Sequence, residues 1–155
     1  MPSKTLTTAP IIIALAAFAA LGIYFAQLPG GRSLDFIFTV GGLVSALDMW
    51  TEADKSYHVW GTCVLNSLLP TAYTAAALVA FARYYTGRKY WVYSALVIAA
   101  MTFDFWENSM NLDLLAGGRL MAVPHVLATW GKFLCLIPVL PGLWLWVQDL
   151  SGQRS

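Results

Sequence analysis

Apolar residues in this chain come in long blocks, separated by short polar or Gly/Pro stretches. Residues 10–28 form the first block, close to the roughly 20 apolar residues that a membrane crossing needs. Pro29-Gly30-Gly31-Arg32 ends it. Residues 34–50 are apolar too, but Asp35 and Asp48 bracket a core of only twelve residues. That is short for a crossing and suits a re-entrant or interfacial segment. Thr51-Glu52-Ala53-Asp54-Lys55-Ser56 is the most polar stretch, with Thr51 or Ser56 placed to cap the following helix. Further spans are expected over 57–82, 90–112 and 121–147. Pro70 falls inside the second, where a kink is expected and a neighbouring helix can satisfy the freed carbonyl.

Composition strengthens this pattern. Of the 155 residues, 59% are hydrophobic and 11% charged, and the mean hydropathy is +0.65. A soluble domain carries roughly 25% charged residues, so the chain reads as an all-α, polytopic integral membrane protein: a four-helix bundle in one domain, 1–155. Lys4 before an apolar run resembles a signal peptide, but no polar mature domain follows, and a retained first helix is expected. Lys4, Arg83, Arg88, Lys89 and Arg154 fall on one side, against Arg32, Lys55 and Arg119 on the other. The excess places both termini in the cytoplasm, in a bacterial inner membrane. Tyr84, Tyr85, Tyr90, Trp91, Tyr93, Trp144 and Trp146 would line the inner interface, with Trp50, Tyr57 and Trp60 at the outer one. Net charge is +1 and no basic run extends beyond Arg88-Lys89, which speaks against a nucleic-acid partner. Cys63 and Cys135 are isolated, and the two histidines, His58 and His125, are 67 residues apart, so no metal spacing is present. No cofactor motif is visible, and composition leaves retinal, haem or quinone open.

The third span carries the polar chemistry. Asp104, Glu107, Asn108 and Asn111 stand at i, i+3, i+4 and i+7, one stripe on a helix. Ionisable groups inside a membrane are expensive and face a bundle interior or a cavity. Thr62, Asn66, Pro70 and Tyr73 share a face of the second span, and His125, Thr129 and Lys132 share one of the fourth. At about 1.5 Å per residue, Asn66 and Asp104 lie roughly 12 Å below the outer helix ends, Lys132 roughly 16 Å, and Glu107 and His125 roughly 6–8 Å. The stripes are therefore expected to meet in the outer half of the bundle.

Each group has a plainer reading beside the functional one. Asp104 and Lys132 suit a buried ion pair that pins two helices. Glu107, with no obvious neutralising partner, is the better general acid or base. Asn66, Asn108 and Asn111 suit interhelical hydrogen bonds, His125 an interfacial histidine, and His58 an ordinary position at the outer rim. Trp106 and Trp130 are placed to line the cavity, or simply to pack. Asp48, with Glu52 and Asp54, reads as solvated loop, with Asp48 able to cap the cavity mouth.

Tyr57, Pro70 and Tyr73, then Phe103-Asp104-Phe105-Trp106-Glu107-Asn108, then Lys132, follow one another in an order that resembles a group of uncharacterised bacterial four-span membrane proteins. Their third span carries Phe-Asp-x-x-Glu-Asn, and the resemblance covers about residues 46–140. It implies the same four-span architecture and points to the same polar layer. A looser resemblance, carried by Leu140-Pro141-Gly142-Leu143, is to the EXPERA group of sterol isomerases and sigma-2-type receptors. There, four or five spans enclose an acidic cavity that holds a protonated amine or sterol cation. The isomerase's His-x-x-x-Glu signature does not occur in the first or second span here.

The expected function is an intramembrane pocket that binds, or acts on, a lipophilic or amphipathic small molecule. Glu107 and Asp104 would carry any chemistry, and Asn66, Tyr73, Asn108, Asn111, His125, Lys132, Trp106 and Trp130 would contact the ligand. A non-catalytic accessory subunit of a larger membrane complex is the first alternative. A proton-coupled carrier is the second, although the inner halves of the spans offer only Thr74, Ser94 and Thr102 as polar steps.

Overall fold

A computed structural model describes residues 4–29, 33–119 and 121–150. Among these, every regular element is helical: α1 (Lys4–Phe25), α2 (Val40–Met49), α3 (Glu52–Tyr84), α4 (Gly87–Leu115), α5 (Ala122–Leu136) and α6 (Leu140–Leu150), with 3-10 turns at Leu34–Phe36 and Ile137–Val139. The expected turn at Gly30-Gly31-Arg32 lies outside the described residues, as does Arg154. So does the side chain of Trp146.

The longest helix, α3, begins at a capping box. Thr51 Oγ1 accepts from the Asp54 backbone N–H, and Asp54 accepts from the Thr51 N–H at 2.8 Å, which satisfies two otherwise unpaired donors. These bonds from Thr51 hold the Asp54 carboxyl below the usual carboxylate range. Pro70 sits mid-helix; having no N–H, it cannot bond the carbonyl of Asn66 one turn earlier. Asn108 on α4 donates to that carbonyl instead, at 3.1 Å. The proline that costs α3 one of its own hydrogen bonds thereby creates an acceptor for its neighbour.

The fourth expected span is not one continuous helix. It divides into α5, the turn Ile137–Val139 and α6, because Pro138 and Pro141 cannot donate to the carbonyls one turn before them. The segment 34–50, expected to be re-entrant or interfacial, likewise divides, into the Leu34–Phe36 turn and α2, where Thr39 accepts from the Gly42 backbone N–H.

Helices α3 and α4 form the centre. α1 packs on α3, α5 packs on α4, and α6 returns to α3. The α1–α3 approach is close: a Cβ at Gly61 would stand 2.5 Å from the Tyr24 ring. Tyr24 and Tyr57 stack with centroids 4.0 Å apart, and each hydroxyl donates to the other's backbone carbonyl, at 2.9 and 3.1 Å.

Beside an apolar core, the chain buries several ionisable and amide groups and exposes several large apolar ones. Glu107 and Asn111 are completely buried and Lys132 is 5% exposed, whereas Ile23 is 72% and Trp91 70% exposed. Two helical stretches are long and apolar enough to cross a membrane, Glu52–Tyr84 and Ala122–Gly142. Helix α4 has the length, at 29 residues, but carries the carboxylate and asparagine stripe.

Candidate functional site

Three polar stripes meet as their spacing predicts. On α4, Asp104, Glu107, Asn108 and Asn111 are all buried. From α3, Asn66 Nδ2 donates to Asn108 Oδ1 at 2.6 Å, and Tyr73 donates its hydroxyl to Asp104 Oδ2 at 3.1 Å. From α5, Lys132 Nζ donates to Glu107 Oε2 at 2.6 Å and to Asp104 Oδ1 at 3.3 Å. Thr129 donates its hydroxyl to the other Glu107 oxygen. His125 Nε2 lies 2.8 Å from Asn111 Oδ1 and 3.8 Å from Glu107 Oε1. The histidine is buried in this layer, not solvated at an interface.

The pairing corrects one expectation about charge. Glu107 has a neutralising partner after all, and Lys132 sits closer to it than to Asp104. Lysine is long enough to span both carboxylates because they stand three residues apart on one face of α4.

A third carboxylate joins them from outside the stripes. Asp35, read from sequence as a bracket of an interfacial segment, is buried. The Leu34–Phe36 turn folds it inward, where Ser33 donates to it and Asn111 Nδ2 donates to Oδ1 at 3.3 Å. Oxygens of Asp35, Asp104 and Glu107 lie within 4.8 Å of one another, a grouping that could hold a metal ion. Lys132 holds a cation beside two of them. The signal for Asp35 was an uncompensated acid at the head of an apolar run; sequence gave no means of bringing that turn under the bundle.

His58 is the other residue that sequence undervalued. It is fully buried, not at a solvated rim. Its Nε2 accepts from the Leu34 backbone N–H at 3.3 Å, and Nδ1 lies 3.1 Å from the Thr62 hydroxyl. A backbone N–H can only donate, so Nε2 is the unprotonated nitrogen and Nδ1 donates to Thr62. Phe25 and Trp50 rings pack on the imidazole, at centroid distances of 4.7 and 5.0 Å. His58 thus pins the Asp35 turn to α3.

No match emerges from comparison with protein-family models, curated proteins or solved structures. Geometry therefore carries the functional argument alone.

Beside the polar layer lies a cavity of about 470 Å³. Asp35, Asn66, Tyr73, Asp104 and Lys132 face one end, and its walls are apolar, among them Leu21, Ala76, Ala77, Val97 and Val139. Glu107, Asn111 and His125 do not line it and stand behind Lys132 and Asp35, and Asn108 is turned to Asn66 instead of the cavity. Neither do Trp106 and Trp130, which are 46% and 48% exposed. Trp130 instead donates to the Phe38 carbonyl at 3.3 Å, holding the segment before α2 against α5. Asp48 is exposed and does not close the cavity mouth.

Proposed function

We propose that this chain is an integral membrane protein, a four-span bundle of the bacterial inner membrane with both termini in the cytoplasm. Its outer half would bind a lipophilic or amphipathic small molecule. That pattern of exposure supports the membrane setting, since large exposed apolar side chains are costly in water and at home in hydrocarbon. The observation that carries the pocket reading is the cavity with apolar walls and a single polar end. Its volume falls within the roughly 300–1,000 Å³ of small-molecule sites.

If the site does chemistry, Asp104 and Asp35 are the carboxylates positioned to touch a ligand, with Lys132 and Tyr73 fixing the two oxygens of Asp104. Glu107 then acts through Lys132. The test is native mass spectrometry with lipid extraction on wild type and Ala77→Leu, a substitution that fills the cavity without touching a charge. A defined small molecule retained by wild type and lost from the variant establishes the pocket; equal retention by both refutes it.

The accessory-subunit reading also has an observation behind it. The three carboxylates and Lys132 are hydrogen-bonded within the chain, as a purely structural staple requires. Empty wild type that co-purifies with a constant larger protein favours that reading. A carrier has less support: toward the inner side the buried polar side chains Thr74 and Ser94 have unpartnered hydroxyls, and Thr102 is exposed, bonding its own helix.

A further inference from the structure

The cavity has a floor and two walls but no closed side. Its floor is α3 and α4; one wall is α1 and the other is α5, the Ile137–Val139 turn and the start of α6. Each wall is anchored on the central pair, α1 on α3 and α5 on α4. Across the opening they face one another with Leu15 and Phe18 on one lip and Leu140 on the other, side chains that line the cavity yet are 65%, 57% and 58% exposed. A lip of large apolar residues is wetted by hydrocarbon, not by water.

The far end of the cavity carries a charge imbalance. Asp35, Asp104 and Glu107 bring three carboxylates within 4.8 Å of one another, against the single ammonium of Lys132, which is already bonded to two of them. Of these only Asp35, Asp104 and Lys132 face the cavity, so its end presents two carboxylates against one ammonium whose hydrogen bonds are already taken up within the layer. An anionic head would meet like charge in a medium of low dielectric, where repulsion is poorly screened. A head that donates hydrogen bonds and carries no negative charge would be welcomed.

We infer that the pocket is loaded sideways from the bilayer, through the seam between α1 and the α5–α6 limb, by a single-tailed amphiphile whose head donates hydrogen bonds and bears no negative charge. This rests on the pocket reading above and adds to it the route and the head-group chemistry. The head reaches the Asp35–Asp104 end, while the tail lies along Ala76, Ala77 and Val97 and leaves past Leu15 and Leu140.

The test uses full-length protein in nanodiscs containing dodecanol, dodecylamine or dodecanoate at equal mole fraction in the bilayer, with bound probe counted by native mass spectrometry. Dodecanol and dodecylamine should load at least tenfold more than dodecanoate. Leu15→Cys/Leu140→Cys, in a background of Cys63→Ser and Cys135→Ser, is bridged across the seam by a bis-maleimide in detergent at alkaline pH, where water reaches and ionises the thiols, and is reconstituted before the probe is added. Bridging should slow loading at least tenfold relative to the same protein left unbridged, which also controls for folding. Ala77→Leu separates the possible failures. If that plug leaves loading unchanged, the probe sits elsewhere and the pocket itself is refuted. If the plug works but the bridged protein loads at full speed, the sideways route is overturned and the pocket stands. If dodecanoate loads as well as the others, the head-group assignment is overturned.

Discussion

Lys132 is the residue on which the polar layer turns. Its ammonium lies between Glu107 and Asp104, and breaking a buried ion pair by removing one partner costs about 3–5 kcal/mol. Lys132→Ala should lose about that much stability and leave a cation-sized gap beside a carboxylate group that could hold a metal ion. Millimolar Mg²⁺ should therefore raise the melting temperature of Lys132→Ala in detergent while leaving wild type unmoved. An identical response of the two proteins would show that the carboxylates do not share one space. A second residue-scale prediction concerns Asn108, whose amide takes the carbonyl that Pro70 leaves free. Asn108→Leu should cost about 1 kcal/mol, in the range of interhelical hydrogen bonds. Its cost should fall by about 0.5 kcal/mol or more in a Pro70→Ala background, where residue 70 can bond Asn66 itself. A strictly additive double-mutant cycle would refute the link. At this scale much of the site was legible: helical spacing placed Asp104, Glu107, Asn108, Asn66 and Lys132 on facing stripes, because period and depth follow from the backbone alone. Asp35 and His58 were not legible, because their burial depends on a turn folding back under the helices. Trp106 and Trp130 pointed the other way for a related reason: an aromatic beside a polar stripe can face either the cavity or the surroundings, and spacing does not choose.

Elements meet through close approaches that a few small residues permit. At the α1–α3 crossing, Gly61 leaves room for the Tyr24 ring, and the paired tyrosine–carbonyl bonds lock the two helices in register. Gly61→Ala should destabilise by about 1–3 kcal/mol, the usual cost of overpacking, read as a lowered thermal midpoint in detergent. Unchanged stability would mean that α1 is more loosely held than this geometry implies. The capping box at the start of α3 has a pH signature. Because folding depresses the Asp54 carboxyl below its ordinary value of 3.8, its contribution is fully present above that value. It is lost as pH falls through the lower, folded-state value. Amide protection factors at Thr51 and Asp54, taken relative to the intrinsic exchange rate at each pH, should fall only in that acid window; a fall already near neutral pH would refute the assignment. Helix positions were readable from hydropathy, but the breaks at Pro138 and between Phe36 and Val40 were not, since a kinked helix and two helices joined by a 3-10 turn share one apolar profile.

Taken whole, the molecule exposes many large apolar side chains, Ile23, Trp91 and Leu127 among them, while burying Asp35, Asp104, Glu107 and Lys132, a pattern that supports the proposed hydrocarbon surrounding. Cys63 offers a direct check. It is exposed on α3, so in water any maleimide would reach it. In intact membranes of a Cys135→Ser background, Cys63 should resist charged and lipid-soluble maleimides alike, because a thiol in hydrocarbon does not ionise to the reactive thiolate, and should be labelled once the protein is unfolded in denaturant. Efficient labelling by the charged reagent in intact membranes would place this face in water and refute the proposed span.

Because α1 leans on α3 and the opposite cavity wall comes from residues after 132, the pocket has a birth order. A ribosome releases α1 before the helix that will hold it, so in the proposed membrane setting the first helix waits in the lipid as a lone cylinder. The chamber comes into being only when the chain has been made past Leu140. A chain stopped after Leu115 would keep the tyrosine-locked pair of helices and possess no chamber at all.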